Sequence, residues 1–103
     1  MTRKLGNVGT RLLLENDRVR IWEMDLAPGA RSDVHRHELD YIIVQIEGDR
    51  IAGVPEPDTA GAFHEYKEGV VEAGKAYWVA RGGIETAVNV GARRYREILI
   101  ELK

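Results

Sequence analysis

The chain has 103 residues, 44% of them hydrophobic, which suits a globular domain with a modest core. A formal net charge of −2 argues against nucleic acid or an anionic membrane as a partner, and the absence of cysteine excludes disulfides and thiolate metal sites. The basic residues near the start precede no apolar run, and no stretch approaches the roughly 20 apolar residues of a membrane span. A cytoplasmic location is therefore expected.

Short apolar runs rich in β-branched and aromatic residues recur along the chain, and no segment has a sustained helical period. Turn signals such as Asn-Asp, Pro-Gly and Gly-Asp separate these runs. In chain order, the predicted strands are 11–15, 19–27, 34–37, 41–47, 50–54, 63–68, 75–80, 85–90 and 94–103, with an exposed loop at 55–62. Many short strands without helices between them predict an antiparallel β-sandwich or barrel.

The predicted strand 41–47, YIIVQIE, is largely apolar on both faces. The odd-numbered residues 41, 43 and 45 face one way, and the even-numbered residues 42, 44 and 46, two isoleucines and a valine, face the other. Because no helix is predicted that could cover the outer face, a second subunit is the natural cover and a homodimer is expected. A two-sheet core that packs both faces is the alternative.

Two histidines, His35 and His37, stand two residues apart in the segment HRHELDY. On a strand, residues at this spacing point to the same face, so the two imidazoles lie side by side. This arrangement suits a metal ion, for which a carboxylate is the expected further ligand. The following strand begins instead with Tyr41, so the pair alone leaves open a metal site and two ordinary histidines.

The residues around the histidines follow a recognisable spacing. Gly29, His35, His37 and Gly48 match four of the five defined positions of the pattern G-x5-H-x-H-x3-E-x6-G, and Tyr41 replaces its glutamate. Both glycines fall in turns that favour positive φ. The pattern resembles the first motif of the cupin family.

A second pattern occurs further along the chain. Gly74, Gly82 and Asn89 match three of the five defined positions of G-x5-P-x-G-x2-H-x3-N, while Ala80 replaces the proline and Glu85 replaces the histidine. This pattern resembles the second cupin motif. The two motifs stand in the right order on a chain already predicted to be all-β.

The resemblance implies a single antiparallel jelly-roll barrel, or double-stranded β-helix, as one domain over residues 1–103. Motif one would occupy 29–48 and motif two 74–89. The stretch 25–49 looks most like the small single-domain, RmlC-like cupins associated with β-alanine degradation.

In the cupin family, three histidines and one glutamate surround a divalent metal, so the two replacements bear on function. His35 and His37 are kept, and Glu85 supplies a carboxylate at the place of the third histidine. Two imidazoles and one carboxylate suffice for non-haem Fe(II) and also suit Zn or Mn. The resemblance thus implies a divalent metal held by His35, His37 and Glu85. Tyr41 would then be a fourth ligand, a hydrogen-bond donor or an acid/base group; in the alternative without metal, Glu85 is a surface carboxylate and Tyr41 a core aromatic.

Further residues are expected to face the cavity because of their parity or their place in the motifs. His64 is more typical of a solvated strand position, and Trp78 of the core or an interface. Arg81 would pair with a substrate carboxylate, or it is a rim arginine without a specific role. The predicted cavity residues are Gln45, His64, Trp78, Arg81 and Asn89.

The resemblance implies an enzyme of dioxygenase, isomerase or lyase type that acts on a small polar organic molecule or acid, with Tyr41 and Glu85 as catalytic residues. Two other functions stay open at this point. One is a metal-free epimerase or isomerase that uses a histidine and a tyrosine as base and acid. The other is a non-catalytic module that binds a small ligand in the same cavity. In each case no nucleic acid or membrane partner is expected.

Overall fold

The computed structural model describes residues 3–103, and the regular structure within them consists of antiparallel β-strands. The strands are β1 (Arg11–Glu15), β2 (Val19–Leu26), β3 (His35–Arg36), β4 (Tyr41–Glu47), β5 (Arg50–Pro55), β6 (Lys67–Val70), β7 (Ala76–Val79), β8 (Ile84–Val88) and β9 (Tyr95–Leu102). The all-β prediction is therefore confirmed. Over the same residues there is no helix with the length and apolar character needed to cross a membrane.

The strands form two sheets, one of five strands in the order β1-β2-β9-β4-β7 and one of four in the order β3-β8-β5-β6. Period-two alternation gives each sheet an inner face. The core between the sheets contains Met24, Leu26, Tyr41, Val71, Tyr95 and Leu99, with side chains of β5 and β8 packed against it. This two-sheet arrangement is the predicted jelly roll.

Two glycines of the first motif adopt, in turns, a positive φ that would be strained for most other residues. Gly29, after β2, has a φ of 80°, and Gly48, between β4 and β5, has a φ of 133°. A Cβ at Gly48 would also lie 2.9 Å from Cδ1 of Tyr95. Positive φ and the close approach of β9 together explain why glycine occurs at this turn.

One predicted strand, 63–68, is misplaced. The structure instead has β6 at Lys67–Val70, paired with β5 through Lys67 opposite Gly53 and Val70 opposite Arg50. Extending this register toward residue 63 would bring the chain opposite Pro55 and Pro57, which have no N–H to donate. The segment before Lys67 therefore stays outside the sheet.

The outer face of the larger sheet carries a continuous apolar row across all five strands. Cross-strand pairing aligns Leu14, Ile21, Ile100, Ile42 and Trp78. The two ends of this row are the most open, with Leu14 47% and Trp78 63% exposed. The predicted division of β4 into an inner and an outer apolar face is present.

Candidate functional site

The backbone brings three of the predicted site residues onto one face of the smaller sheet. His35 in β3 and Glu85 in β8 are direct cross-strand partners. His37 lies just beyond β3, where its N–H donates to Gly83 O at 2.8 Å and its carbonyl accepts from Gly82 N at 2.8 Å. The two motifs are thus joined by main-chain hydrogen bonds, and Gly82-Gly83 lets the chain pass close to His37.

The three side chains converge inside the barrel. One ligand atom from each of His35, His37 and Glu85 lies within 4.8 Å of the other two, the one such group of three that the structure forms within residues 3–103. Both histidines are 2% exposed, and the Glu85 side chain is 22% exposed. The donor set combines two imidazoles with one carboxylate, as in non-haem iron sites.

The hydrogen bonds of the two imidazoles define which nitrogens face the cluster. Nδ1 of His35 donates to the Asp33 carbonyl at 2.8 Å, which leaves Nε2 with its lone pair free. Nε2 of His37 lies 3.1 Å from Oε1 of Glu85, whereas its Nδ1 is buried with no partner among the described residues. Two donors about 2.1 Å from one metal and at right angles to each other stand about 3.0 Å apart. The measured separation and the donor set therefore fit a shared divalent ion.

The charges of the cluster favour the metal-binding protonation states near neutral pH. Burial lowers the pKa of His35, and the neighbouring His37 lowers it further, so the imidazole is neutral. For Glu85 burial acts to raise the pKa, but the hydrogen bond to His37 and the charges of both histidines outweigh it, and the net direction is downward. The cluster therefore combines an ionised Glu85 carboxylate with a neutral His35 imidazole.

Tyr41, on β4 of the larger sheet, packs against this cluster. Its ring stacks on His37 with centroids 4.0 Å apart and an angle of 14° between the planes. Burial, together with the carboxylate of Glu85, raises the pKa of the Tyr41 phenol well above its usual range. Burial thus favours the neutral phenol, which can serve as a hydrogen-bond donor.

A cavity of about 330 Å³ lies between the sheets next to this cluster. Its middle is apolar, and the side chains there include Met24, Ile43, Ile51, Val79 and Leu99. Such a volume suits a small organic molecule, and the polar groups at its wall are few enough to orient one.

Two of the five predicted cavity residues border this cavity, Gln45 and Trp78. Gln45 is 4% exposed and lies on the inner face of β4 with Tyr41. Trp78, however, pairs with Ile42 on the outer face of the sheet and is 63% exposed. Its indole belongs to the outer apolar row more than to the cavity.

The other three predicted cavity residues lie elsewhere. His64 is exposed, because the segment before β6 does not join the sheet that would have turned it inward. The Arg81 side chain is also exposed, and its backbone N–H donates to Oδ1 of Asp40 at 2.9 Å. Neither residue borders the cavity.

Asn89, the third of these residues, is fully buried but serves the fold. Its Nδ2 donates to the carbonyls of Leu26 at 3.0 Å and Arg93 at 2.8 Å, and its Oδ1 accepts from Gly91 N at 3.0 Å. The amide thus satisfies backbone groups at the turn between β8 and β9. It does not border the cavity.

Tyr95 and Glu97 of β9 are among the residues that border the cavity but escaped the sequence analysis. The segment YREILIEL carries charged and apolar residues on both faces, so alternation alone does not show which face is inside. The pairing of Glu97 with Gln45 settles the question, because Gln45 shares the inner face of Tyr41. This register could not be read from the sequence.

No family model matches the chain. Among curated proteins, it is 29% identical over 91 residues to the β-alanine degradation protein BauB of Pseudomonas aeruginosa, covering 87% of each chain. Among solved structures, it is similar to a cupin domain from Bordetella pertussis, with a TM-score of 0.76, 21% identity and coverage of 100% of this chain and 99% of that one.

An RmlC-like cupin from Methanocaldococcus jannaschii with a double-stranded β-helix fold is also similar. Its TM-score is 0.71 at 14% identity, over 99% of this chain and 92% of that one. At these identities the structures establish the fold. The chain therefore has the cupin double-stranded β-helix fold that its two motifs predict.

Proposed function

We propose that this cupin-fold protein is a metal-dependent enzyme that acts on a small polar organic molecule or acid inside its barrel. The observation that carries the proposal is the convergence of His35, His37 and Glu85, whose ligand atoms lie within 4.8 Å of one another beside a cavity of about 330 Å³. A divalent ion held there would supply Lewis-acid polarisation of a substrate oxygen.

The protein's own residues would divide the remaining tasks. Glu85, ionised and paired with His37, balances positive charge at the cluster. Tyr41 would donate a hydrogen bond to an oxygen of the substrate, a role supported by its place at the cluster and by the burial that raises the pKa of its phenol. The apolar middle of the cavity excludes water around the bound molecule. Isomerase, lyase and dioxygenase chemistry all fit this arrangement.

A metal-free function is supported by one contact of its own. His37 Nε2 and Glu85 Oε1 already lie at hydrogen-bond distance, 3.1 Å, with Tyr41 stacked on the imidazole. These residues could serve as an acid/base set for an epimerase or isomerase, or as the polar end of a non-catalytic binding site. Ligand binding or turnover that is unchanged by a chelator would favour this alternative.

We further propose a homodimer formed through the outer apolar row. In a protein surface, a contiguous apolar patch that crosses five strands is typical of an interface. A second copy offers the same row and would bury both by a two-fold contact. The single-domain organisation of residues 1–103 and the cytoplasmic location stay predictions of the sequence.

Titration calorimetry with Zn(II), and with Fe(II) under anaerobic conditions, tests the metal site. Glu85→Gln should weaken binding by at least about 100-fold, because losing even an outer-shell partner costs about 10- to 100-fold. Tyr41→Phe should bind nearly as well as wild type. Glu97→Gln is the matched control, since it makes the same change at another cavity wall position. Affinity should also fall below about pH 6, where imidazoles take up protons.

Two results would contradict the proposal. Equal affinity in wild type and Glu85→Gln would show that Glu85 is not a ligand. Failure of the wild-type protein to bind either metal at about neutral pH would leave the metal-free functions.

A further inference from the structure

A second polar cluster borders the same cavity, away from the histidines. It consists of Gln45 on β4 with Tyr95 and Glu97 on β9, and Gln45 and Glu97 are direct cross-strand partners. Gln45 lies four residues beyond Tyr41, which separates their Cα atoms by about 13 Å along the strand. The cavity thus has two polar ends, the His/Glu cluster with Tyr41 and this second cluster.

The hydrogen bonds of the second cluster leave one carboxyl oxygen available. Tyr95 OH donates to Oε1 of Glu97. Oε1 of Gln45 accepts from the Glu72 N–H at 3.1 Å. Burial raises the pKa of the Tyr95 hydroxyl, and the Gln45 side chain beside it acts to lower that pKa. No side-chain or backbone donor among residues 3–103 is hydrogen-bonded to Oε2 of Glu97, and Glu97 borders the cavity.

The surroundings of Glu97 keep it protonated up to neutral pH. Burial raises its pKa to about 7; the hydrogen bond from Tyr95 acts to lower it, and the charge of Glu85 across the cavity raises it further. When the carboxyl is neutral, Oε1 accepts from Tyr95 and the proton is carried by Oε2. With Oε1 engaged by Tyr95, Oε2 is the oxygen through which a neutral Glu97 can donate its O–H to a molecule in the cavity.

No cation offsets this carboxyl from the strands around it. Met24 of β2 and Gln45 of β4 are its uncharged cross-strand neighbours. The phenols of Tyr41 from β4 and Tyr77 from β7 border the same cavity, as do the imidazoles of His35 and His37 and the carboxylate of Glu85 from β8. From the segment around β6, Glu65, Lys67 and Glu68 border the cavity, but the Lys67 ammonium lies 4.3 Å above the Phe63 ring.

We propose that Glu97, positioned by Tyr95 and Gln45, is a specificity residue that donates a hydrogen bond to an uncharged oxygen of the bound molecule. This inference rests on the proposed function, because a divalent ion is what would hold the other end. Two positive charges of the ion against the one negative charge of Glu85 leave a positive end, which attracts a carboxylate. The ligand class is therefore a small carboxylic acid with a hydroxyl or carbonyl oxygen at its far end.

Three isosteric probes test the donor: hexanoate, 5-hydroxypentanoate and 5-aminopentanoate, which end in a methyl, a hydroxyl and an ammonium group. Calorimetry on zinc-loaded protein compares them, with the same three end groups repeated on chains one carbon shorter and one longer. At about pH 6, where Glu97 is still mostly protonated and zinc is still bound, the hydroxy acid should bind about 3- to 10-fold more tightly than the methyl acid, the usual effect of one hydrogen bond. Above about pH 8 the preference should pass to 5-aminopentanoate, because ionised Glu97 attracts the ammonium group.

Variants separate the donor from its surroundings. Glu97→Met should abolish the preference for the hydroxy acid. Glu97→Gln should keep it at both pH values, because the amide still donates but does not titrate. Glu65→Gln, the same substitution at another residue bordering the cavity, should behave as wild type. A preference for the amino acid at every pH would show that Glu97 acts as an anion and overturn the proposal, as would equal binding, or no binding, of all three probes.

A readout on metal-free protein separates this inference from the metal site. Infrared spectroscopy should show a protonated carboxyl band at about pH 6 that Glu97→Gln lacks. If zinc does not bind but this band is present and shifts when 5-hydroxypentanoate is added, the metal-dependent function fails and the donor stands. If the band is absent from the wild-type protein, the donor fails whether or not zinc binds.

Discussion

The buried carboxyl of Glu97 should make the free energy of unfolding depend on pH, even without a bound ligand. Its pKa is raised from the ordinary value of 4.5 to about 7 in the folded protein, chiefly by burial. Below pH 4.5 the carboxyl is protonated in both the folded and the unfolded chain, so it adds no pH dependence. Between the two values the unfolded chain loses the proton while the folded protein keeps it, so the free energy of unfolding falls as pH rises.

The size of this loss follows from the interval between the two pKa values. Each pKa unit corresponds to about 1.4 kcal/mol, so the interval from 4.5 to about 7 amounts to about 3 kcal/mol. For a domain of this size, that is a large fraction of a typical total stability of about 5–15 kcal/mol. The loss is complete once the pH exceeds the folded pKa.

Glu97→Gln isolates this contribution, because the amide has the same shape, still accepts from Tyr95 and does not titrate. Urea unfolding should give wild type and variant similar stabilities at about pH 4.5, and the variant should be more stable by about 3 kcal/mol at about pH 8. Other titrating groups are common to both proteins and cancel in the difference. A difference that stays constant from acid to alkaline pH would refute the assignment of a raised pKa to this carboxyl.

Two further predictions concern the interface and a turn. Light scattering should give about twice the 11.6 kDa chain mass, and a wild-type monomer would contradict the dimer. Ile42→Lys in the outer apolar row should produce a monomer, whereas Val90→Lys, at an exposed apolar position outside that row, should not. Gly48→Ala should lower the free energy of unfolding by about 2 kcal/mol, because it combines a positive φ with a Cβ 2.9 Å from the Tyr95 ring. Gly69→Ala, where a Cβ meets nothing within 4 Å and φ is not positive, should be nearly neutral, so equal losses at the two sites would contradict the steric explanation.

Much of the fold was predictable because its signals are local. The short apolar, β-branched run YIIVQIE predicts β4 to the residue, and the glycines of the first motif fall at turns with positive φ. The strand predicted at 63–68 failed because strand formation there depends on a distant partner. Pro55 ends β5 and Pro57 lies just beyond it, and only the register shows that an extended pairing would bring them opposite this segment.

The candidate site was predictable where motif spacing fixes the backbone, and not where register decides. His35 and Glu85 come together because the two motifs form neighbouring strands. Glu97 was missed because both faces of β9 carry charged residues, so only its pairing with Gln45 identifies the inner face. Asn89 was placed wrongly in the cavity, since a motif position can serve a turn as readily as a ligand.

The register also gives a physical reason for the tyrosine that replaces the glutamate of the first cupin motif. Tyr41 is the direct cross-strand partner of Glu101, which is 1% exposed. Glu101 already accepts hydrogen bonds from Arg20 and Trp22, each at 2.7 Å, so its carboxylate is paired with residues of β2 in the larger sheet. A second carboxylate at position 41 would place two like charges directly opposite each other in a buried pair, which is destabilising.

A phenol at position 41 avoids this repulsion and still offers a proton to the cavity. The negative charge that the cluster needs then has to come from the other sheet, where Glu85 stands opposite His35 and within hydrogen-bond distance of His37. The two replacements are thus coupled: Glu101 disfavours a carboxylate at residue 41, and Glu85 restores it at the second motif. On this reasoning Tyr41→Glu should lower the free energy of unfolding less in a Glu101→Gln background than in the wild-type background. Urea unfolding measures both losses, and equal losses would refute the coupling.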